Sequence, residues 1–218
     1  GEIMRKATPR LLIAGSGSGC GKTTLLRILG GFENPDSGKV IFDGKDITSL
    51  APNKRQLNTV FQKYALFTHM TIAENIAFGL KIKNKSKSYI NDKIAYALKL
   101  VNLEGYGNRM PDSLSGGQQQ RIGVARAFAM DPGIILMDEP FVGLDPKASY
   151  ILKGMMREVC DAGGAIFFST HVLEVAEKLC DKVAIIKGGK LIRSGTMEEV
   201  KGDDSLEEVF LELEDTSC

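Results

Sequence analysis

Cysteine is scarce in this sequence: the 218 residues include four copies, and these lie far apart. Cys20, Cys160, Cys180 and Cys218 contain no pair at the short spacing that metal ligands use, so we expect no zinc site. Scattered thiols without a disulfide pattern are typical of intracellular proteins. The sequence therefore predicts a cytoplasmic protein.

Long apolar runs and an excess of either charge are also missing. No stretch approaches the roughly 18 apolar residues of a membrane span, and the opening GEIMRKATPR lacks the apolar segment of a secretory signal. The 28 basic and 27 acidic side chains leave a net charge of +1, so we expect neither a nucleic-acid partner nor a polybasic membrane anchor. With 43% hydrophobic residues, the chain can bury the core of one large domain.

Short apolar runs alternate with helical patterns along the chain. The predicted strand and helix pairs are Arg10 to Ala14 with Lys22 to Leu29, Ile134 to Asp138 with Lys147 to Asp161, and Ala165 to Ser169 with Val172 to Leu179. Runs such as IILM and AIFF are apolar on both faces, which is typical of a parallel sheet covered by helices. Turn residues flank Lys39 to Phe42, and Gly188-Gly189 joins two further runs, so we also expect short antiparallel elements.

Between about Thr71 and Met110 the pattern is purely helical. Ile72, Ile76 and Leu80 are spaced four apart, and a later face repeats the pattern from Ile94 to Val101, which predicts an inserted helical lobe. The lysines of KIKNKSKS in this lobe are interpreted as a solvated loop. Near the C-terminus, apolar residues at helical spacing predict a helix that packs back on the core; they are Leu206, Val209, Phe210 and Leu213.

The stretch GSGSGCGKTT, from Gly15 to Thr24, follows the first strand and opens a helix. Small residues let backbone N–H groups converge on a phosphate, and the helix dipole adds positive potential. We expect Lys22 to reach the β- and γ-phosphates and the Thr23 hydroxyl to ligate Mg²⁺, with Thr24 assisting. The other candidate phosphate-binding residues are Ser16, Gly17, Ser18, Gly19, Cys20 and Gly21.

Ser16 departs from the strict pattern G-x-x-x-x-G-K-[ST], which has glycine at its place. The loop is therefore expected to differ in shape, and a flexible glycine turn is the alternative interpretation. Cys20 is interpreted as a small filler rather than a redox switch, because its thiol has no evident activating group.

Two acids end the apolar run of GIILMDEP, at the strand end where α/β proteins place their chemistry. Such acids are costly in a dry core, so we expect them to face a cation or a reaction. Asp138 suits the Mg²⁺ shell, and Glu139 suits polarising the water that attacks a γ-phosphate. Solvated acids at a strand end are the alternative.

The stretch LSGGQQQR opens another predicted helix, which Ser115 can cap. Gly116 and Gly117 leave first-turn N–H groups uncovered, and Gln118 completes the motif. This is a second anion-binding helix start without a lysine, and one ATP per chain does not need both.

In this order, the motifs resemble those of the nucleotide-binding subunits of ABC transporters, whose signature reads LSGGQ. The resemblance runs from the phosphate loop almost to the C-terminus. It implies a P-loop NTPase of the α/β class, with a mainly parallel sheet covered by helices, a short antiparallel β element and an inserted helical lobe. It also implies one ATPase domain over residues 1–218, with a RecA-like core at about 1–70 and 131–218 and a helical subdomain at about 71–130.

Three more residues take roles from the resemblance. Gln62 in VFQKYALF is similar to the glutamine that contacts Mg²⁺ and the attacking water and senses the membrane subunit, although it could be an ordinary polar loop residue. Asp145 in GLDP is similar to the loop that crosses the dimer seam. His171, after the strand AIFFST, is similar to the histidine that holds the γ-phosphate.

The resemblance further implies a head-to-tail homodimer or heterodimer. Each ATP, with Mg²⁺, would lie between the phosphate loop of one copy and the signature helix of the other, which explains the second anion site. Closure, hydrolysis and reopening would drive transmembrane permease subunits, with the chain on the inner face of the membrane.

The sequence also departs from this family. Members usually begin with an antiparallel strand and an aromatic that stacks on adenine, whereas the first aromatic here is Phe32, so we expect nucleotide affinity to be weaker by roughly tenfold or more. The phosphate loop resembles those of cobyrinate- and dethiobiotin-synthase-type enzymes, the middle resembles polyamine-importer ATPases, and the C-terminal third resembles exporter ATPases. We hypothesise a mosaic, engineered or assembled from several sources. The alternative function is a P-loop scaffold that binds phosphate or nucleotide weakly and drives no transport.

Overall fold

The computed structural model describes residues 10–15, 19–60, 66–131 and 133–215. The strands in this part of the chain are β1 (Arg10–Gly15), β2 (Ile41–Phe42), β3 (Lys45–Asp46), β4 (Leu57–Val60), β5 (Ile134–Asp138), β6 (Ala165–Thr170), β7 (Lys182–Lys187) and β8 (Lys190–Thr196). The helices are α1 (Lys22–Gly30), α2 (Ile72–Ile82), α3 (Lys87–Leu100), α4 (Gly116–Ala129), α5 (Pro146–Asp161), α6 (Leu173–Leu179), α7 (Met197–Lys201) and α8 (Leu206–Asp215).

A six-stranded sheet in the order β4-β5-β6-β1-β7-β8 forms the centre of the fold. The first five strands are parallel, and β8 returns antiparallel to β7 through Gly188-Gly189. This confirms the parallel sheet that the strand and helix alternation predicts. Because β1, β5 and β6 are parallel neighbours, their carboxyl ends lie side by side at one edge of the sheet.

Successive residues of β5 pack on opposite faces of this sheet. Ile134 and Leu136 belong to the apolar cluster that contains Leu26 of α1. Ile135 and Met137 belong to the larger cluster, to which α2 to α6 contribute. All five residues of β5 are buried, as expected for a strand covered on both sides.

The edge strand β4 was not predicted from the sequence, because its polar Asn58 and Thr59 interrupt the apolar pattern. The structure accounts for the asparagine: its side-chain amide donates to the carbonyl of Ala127 at the end of α4, at 2.9 Å. A polar residue therefore sits in this strand because a helix end supplies an acceptor.

The helical stretch after residue 70 forms α2 and α3, and these helices pack against each other and against α4. Thr71 and Glu74 form a capping box at the start of α2, and the predicted apolar positions Ile72, Ile76 and Leu80 are all buried. These side chains share one apolar cluster with the sheet. The division of the chain at about residues 70 and 130 stays a prediction.

The first antiparallel ribbon is shorter than Lys39 to Phe42, since only Ile41–Phe42 pairs with Lys45–Asp46. The N–H of Val40 donates to the Thr48 hydroxyl at 2.8 Å instead of to a strand partner. The carbonyl of Val40 still accepts from the N–H of Ile47 at 2.9 Å, so the Thr48 side chain replaces a backbone partner at the N–H of Val40 only.

The last helix packs back on the core, as predicted. Leu206 and Val209 are buried, and the carboxylate of Glu177 accepts hydrogen bonds from the Lys201 ammonium (2.8 Å) and the Leu206 N–H (3.1 Å). These two donors hold the pKa of Glu177 below its usual value. In the described ranges, no helix combines the length and the apolar character needed to cross a membrane.

Candidate nucleotide-binding site

A cleft of about 510 Å³ opens at the carboxyl edge of the sheet. The residues that line it are Gly19, Cys20, Gly21, Lys22, Thr23, Thr24, Asp138, Glu139, Val142 and His171. Chain segments that follow β1, β5 and β6 contribute to it. The structure thus brings three separately predicted motifs to one place.

The described part of the glycine-rich loop is bent at two glycines. Gly19 and Gly21 have φ values of 90° and 101°, in the left-handed region that favours glycine. Gly21 directly precedes α1, so the N-terminus of that helix faces the cleft. Lys22 is 7% exposed, and its ammonium lies 3.4 Å from the Cys20 sulfur.

The turn between β7 and β8 supports the glycine-rich loop from the side. The N–H of Gly189 donates to the carbonyl of Cys20 at 3.2 Å. A Cβ on Gly21 would lie 3.7 Å from the Gly189 Cα, which is ordinary contact distance. The sequence predicts this hairpin but not its contact with the loop.

Thr23 and Asp138 meet directly, although 115 positions separate them. The Thr23 hydroxyl donates to Oδ2 of Asp138 at 2.7 Å, and the carboxylate is 5% exposed. Among the described residues no three His, Cys, Asp or Glu side chains gather around one point. Magnesium in nucleotide sites commonly takes one or two carboxylates together with phosphate oxygens and water, so this hydroxyl and carboxylate fit that ion.

Glu139 has a constrained backbone next to the strand end. Its φ of 47° is left-handed, which is uncommon for a residue with a side chain. Oε2 of Glu139 accepts from the N–H of His171 at 3.3 Å and lies 3.0 Å from Nδ1 of the same residue. The predicted acid and the predicted histidine are therefore a contacting pair.

The signature helix starts away from this cleft. Ser115 and Gln118 form a capping box on α4: the Gln118 N–H donates to Ser115 Oγ at 3.3 Å, and the Ser115 N–H donates to Gln118 Oε1 at 2.9 Å. Apart from the adjacent residues and the backbone of α4 itself, no described heavy atom lies within 4 Å of a Cβ built on Gly116 or Gly117, so other parts of the described chain leave this helix start uncovered. None of these residues lines the cleft.

Asp145 is also outside the cleft, where it caps α5. Its carboxylate accepts from the N–H of Ala148 at 2.8 Å. Ser16, Gly17, Ser18 and Gln62 lie outside the described residues, so their predicted roles stay predictions.

One contact links the signature helix to the acids and was not predicted. The buried amide of Gln120 donates to the carbonyl of Pro140 at 2.5 Å, and Pro140 directly follows Glu139. Gln120 lies in LSGGQQQR, so the motif itself was visible, but the partner 20 positions away was not.

Residues 6–142 match the ABC transporter family, which is more than half of the chain. The chain belongs to this family. It is 50% identical over 187 residues to the spermidine/putrescine import ATP-binding protein of Acetivibrio thermocellus, covering 84% of this chain and 52% of that protein. The corresponding protein of Clostridium novyi is 50% identical over 184 residues, covering 84% and 53%. The chain thus spans about half the length of the curated relatives it matches.

Solved ABC structures share the fold. A structure described as the ATP-binding subunit of an ABC transporter is 27% identical, with a TM-score of 0.86 over 94% of this chain and 88% of that one. A bacterial ABC transporter cassette solved as a dimer is 30% identical, with a TM-score of 0.79 over 87% and 85%. These likenesses confirm the predicted P-loop fold and favour the transporter hypothesis over the scaffold hypothesis. The mosaic hypothesis stays a prediction.

Proposed function

We propose that this chain is the ATP-binding and ATP-hydrolysing subunit of an ABC membrane transporter, and that it works as a head-to-tail dimer around Mg-ATP. The observation that carries the proposal is the convergence of Lys22, the Thr23–Asp138 pair and the Glu139–His171 pair in one cleft. Each of these groups suits a different part of a triphosphate, so their meeting is hard to explain by packing alone.

The loop before α1 would bind the phosphates. Backbone N–H groups at the helix start and the Lys22 ammonium supply positive potential to the anion. Thr23 and Asp138 would hold Mg²⁺, which neutralises charge on the phosphate oxygens when it is bound. Asp138 is already fixed by two hydrogen bonds, so little reorganisation is needed on binding.

Hydrolysis would use Glu139 and His171. The Glu139 carboxylate orients a water whose oxygen forms a bond to the γ-phosphorus. The bond from that phosphorus to the bridging oxygen breaks, and its electron pair leaves with ADP. The water's proton passes to Glu139 and then to phosphate or solvent. His171, held by Glu139, would donate to a γ-phosphate oxygen.

A second copy would complete each site. Gly116 and Gly117 are open but do not line the cleft of their own chain, which fits a helix start that serves the partner's ATP. Asp145, exposed at the start of α5, would lie at the seam between the copies. Gln62 would contact Mg²⁺ and sense the membrane subunit.

The remaining partners follow from the relatives. The relatives are named as import ATP-binding proteins, and we propose that transmembrane permease subunits dock on this chain at the cytoplasmic face of the membrane. The dimer would consist of two copies of this chain or of this chain and a second nucleotide-binding subunit.

The proposal is tested by phosphate release from the purified chain. We expect turnover of millimolar ATP with Mg²⁺ and none with EDTA. Lys22→Ala should reduce turnover by about 100-fold or more, because a charge that faces the transferred phosphate is lost. Lys99→Ala, on the exposed face of α3, is the matched control and should hydrolyse ATP like the wild type. No hydrolysis by the wild-type chain, or full activity of Lys22→Ala, would contradict the proposal.

A further inference from the structure

Ser169 lies beside both acids of the cleft, and one of the two hydrogen bonds that fix Asp138 comes from its hydroxyl. It is the penultimate residue of β6 and is fully buried. In the sheet register its Cα is paired with that of Asp138 in β5. A polar side chain in this position needs a partner, because an unpaired buried hydroxyl is costly.

The Ser169 hydroxyl contacts both acidic residues. It donates to Oδ1 of Asp138 at 2.6 Å and accepts from the N–H of Glu139 at 3.1 Å. The Ser169 carbonyl accepts from the same N–H at 3.2 Å. The Ser169 side chain thus contacts both the Asp138 carboxylate, which is proposed to hold Mg²⁺, and the backbone of Glu139, which is proposed to orient the water.

We propose that Ser169 is a positioning residue for the magnesium-dependent step, acting through Asp138 and Glu139. Its bond to Oδ1 fixes the rotation of the Asp138 carboxylate, so that Oδ2 faces Thr23. Its bond to the Glu139 N–H helps to hold that residue at a φ of 47°, the conformation in which its carboxylate meets His171. This inference rests on the proposed function.

The geometry favours a substantial effect. The hydrogen bond from the Ser169 hydroxyl to the Asp138 carboxylate, at 2.6 Å, is short and charge-assisted. Without this hydrogen bond, Oδ1 of the buried Asp138 loses its donor, and the carboxylate can rotate. Residues that orient metal ligands in this way typically change metal affinity or activity by about 10- to 100-fold when they are replaced.

A purely structural role for Ser169 predicts a different result when the residue is replaced. Loss of a buried hydrogen bond would then lower the thermal stability and the affinity for ATP with and without metal to a similar extent. A positioning role affects the response to Mg²⁺ selectively, and the metal-free affinity is unchanged.

The test compares Ser169→Thr, which keeps the hydroxyl, with Ser169→Val, which has nearly the same shape without it. Ser169→Ala removes the hydroxyl without adding a methyl group. For each chain we would measure the Mg²⁺ concentration at half-maximal hydrolysis, the ATP affinity in Mg²⁺ and in EDTA by calorimetry, and the melting temperature.

We expect Ser169→Val and Ser169→Ala to raise the half-maximal Mg²⁺ concentration by about tenfold or more, with the EDTA affinity unchanged and Ser169→Thr close to the wild type. A wild-type Mg²⁺ response in both variants would overturn the inference, as would equal losses in all three. Parallel loss of metal-free affinity and melting temperature would also overturn it. If the wild-type chain binds Mg-ATP without hydrolysing it, the proposed function fails, and the two affinities still decide the role of Ser169.

Discussion

Replacing Glu139 by glutamine is expected to reduce ATP hydrolysis by about 100- to 10,000-fold while leaving ATP binding intact. Glutamine keeps the size of the side chain and an oxygen that His171 can contact, but it cannot take a proton from water. Because bound ATP then persists, the variant should also form dimers in Mg-ATP that remain associated. Turnover, calorimetric affinity and size-exclusion chromatography with ATP would measure the three effects.

Glu207→Gln is the matched control for this variant. Glu207 is exposed on α8, far along the chain from the acids, so its replacement should change neither turnover nor dimer formation. Wild-type turnover by Glu139→Gln would show that another group activates the water. Loss of ATP binding together with turnover would show that Glu139 is needed to form the site rather than to react.

Replacing Arg55 by methionine is expected to lower the free energy of unfolding by about 3 kcal/mol or more. Arg55 is 6% exposed and donates to four backbone carbonyls, those of Ile28, Leu29, Thr48 and Leu50, at 2.6 to 2.9 Å. Two of these carbonyls lie near the end of α1, the helix that follows the glycine-rich loop. Methionine fills similar space but removes the guanidinium donor from all four carbonyls, of which that of Ile28 still accepts from the N–H of Gly31 at 3.1 Å.

Urea unfolding would measure this effect, with Lys54→Met as the exposed neighbour control. Arg55→Lys should fall between the wild type and Arg55→Met, because an ammonium cannot reach all the carbonyls that the planar guanidinium joins. Burial also lowers the pKa of Arg55 from its usual high value, which is the direction expected for a desolvated cation. An unchanged unfolding midpoint in Arg55→Met would contradict this account of the contact.

Much of the fold could be predicted because its signals are local. The runs RLLIA, IILMD and AIFFS are apolar on both faces and alternate with amphipathic helices, and this pattern is typical of a covered parallel sheet. The convergence of Lys22, Asp138 and His171 follows from that topology. Asp138 ends β5, His171 directly follows β6, and Lys22 begins the helix that the loop after β1 leads into. The order of motifs then indicated the family.

Other features depend on register and could not be predicted locally. Ser169 contacts Asp138 only because β5 and β6 pair in a register that places their Cα atoms opposite each other. Arg55 belongs to no recognisable sequence motif. The backbone carbonyls that accept its hydrogen bonds lie in two segments that are far apart in the sequence. The reverse holds for the signature helix: LSGGQ is evident in the sequence, but its proposed role depends on a second molecule, which a single chain does not show.

The central claim is that a second molecule completes each ATP site. Mixing two inactive variants tests this claim most directly. Lys22→Ala disables the phosphate loop, and Ser115→Arg blocks the start of the signature helix. In a head-to-tail dimer every site of either homodimer carries one defect. In the mixed dimer both defects fall in one site, and the other site is intact.

We expect a mixture of equal amounts of Lys22→Ala and Ser115→Arg chains to recover about a quarter of the wild-type turnover, because half of the dimers are mixed and each has one intact site. Mixing Lys22→Ala with the Lys22→Ala/Ser115→Arg double variant is the matched control and should recover none. If the Lys22→Ala and Ser115→Arg mixture stays as inactive as its components, or if Ser115→Arg alone hydrolyses ATP like the wild type, the head-to-tail account is wrong.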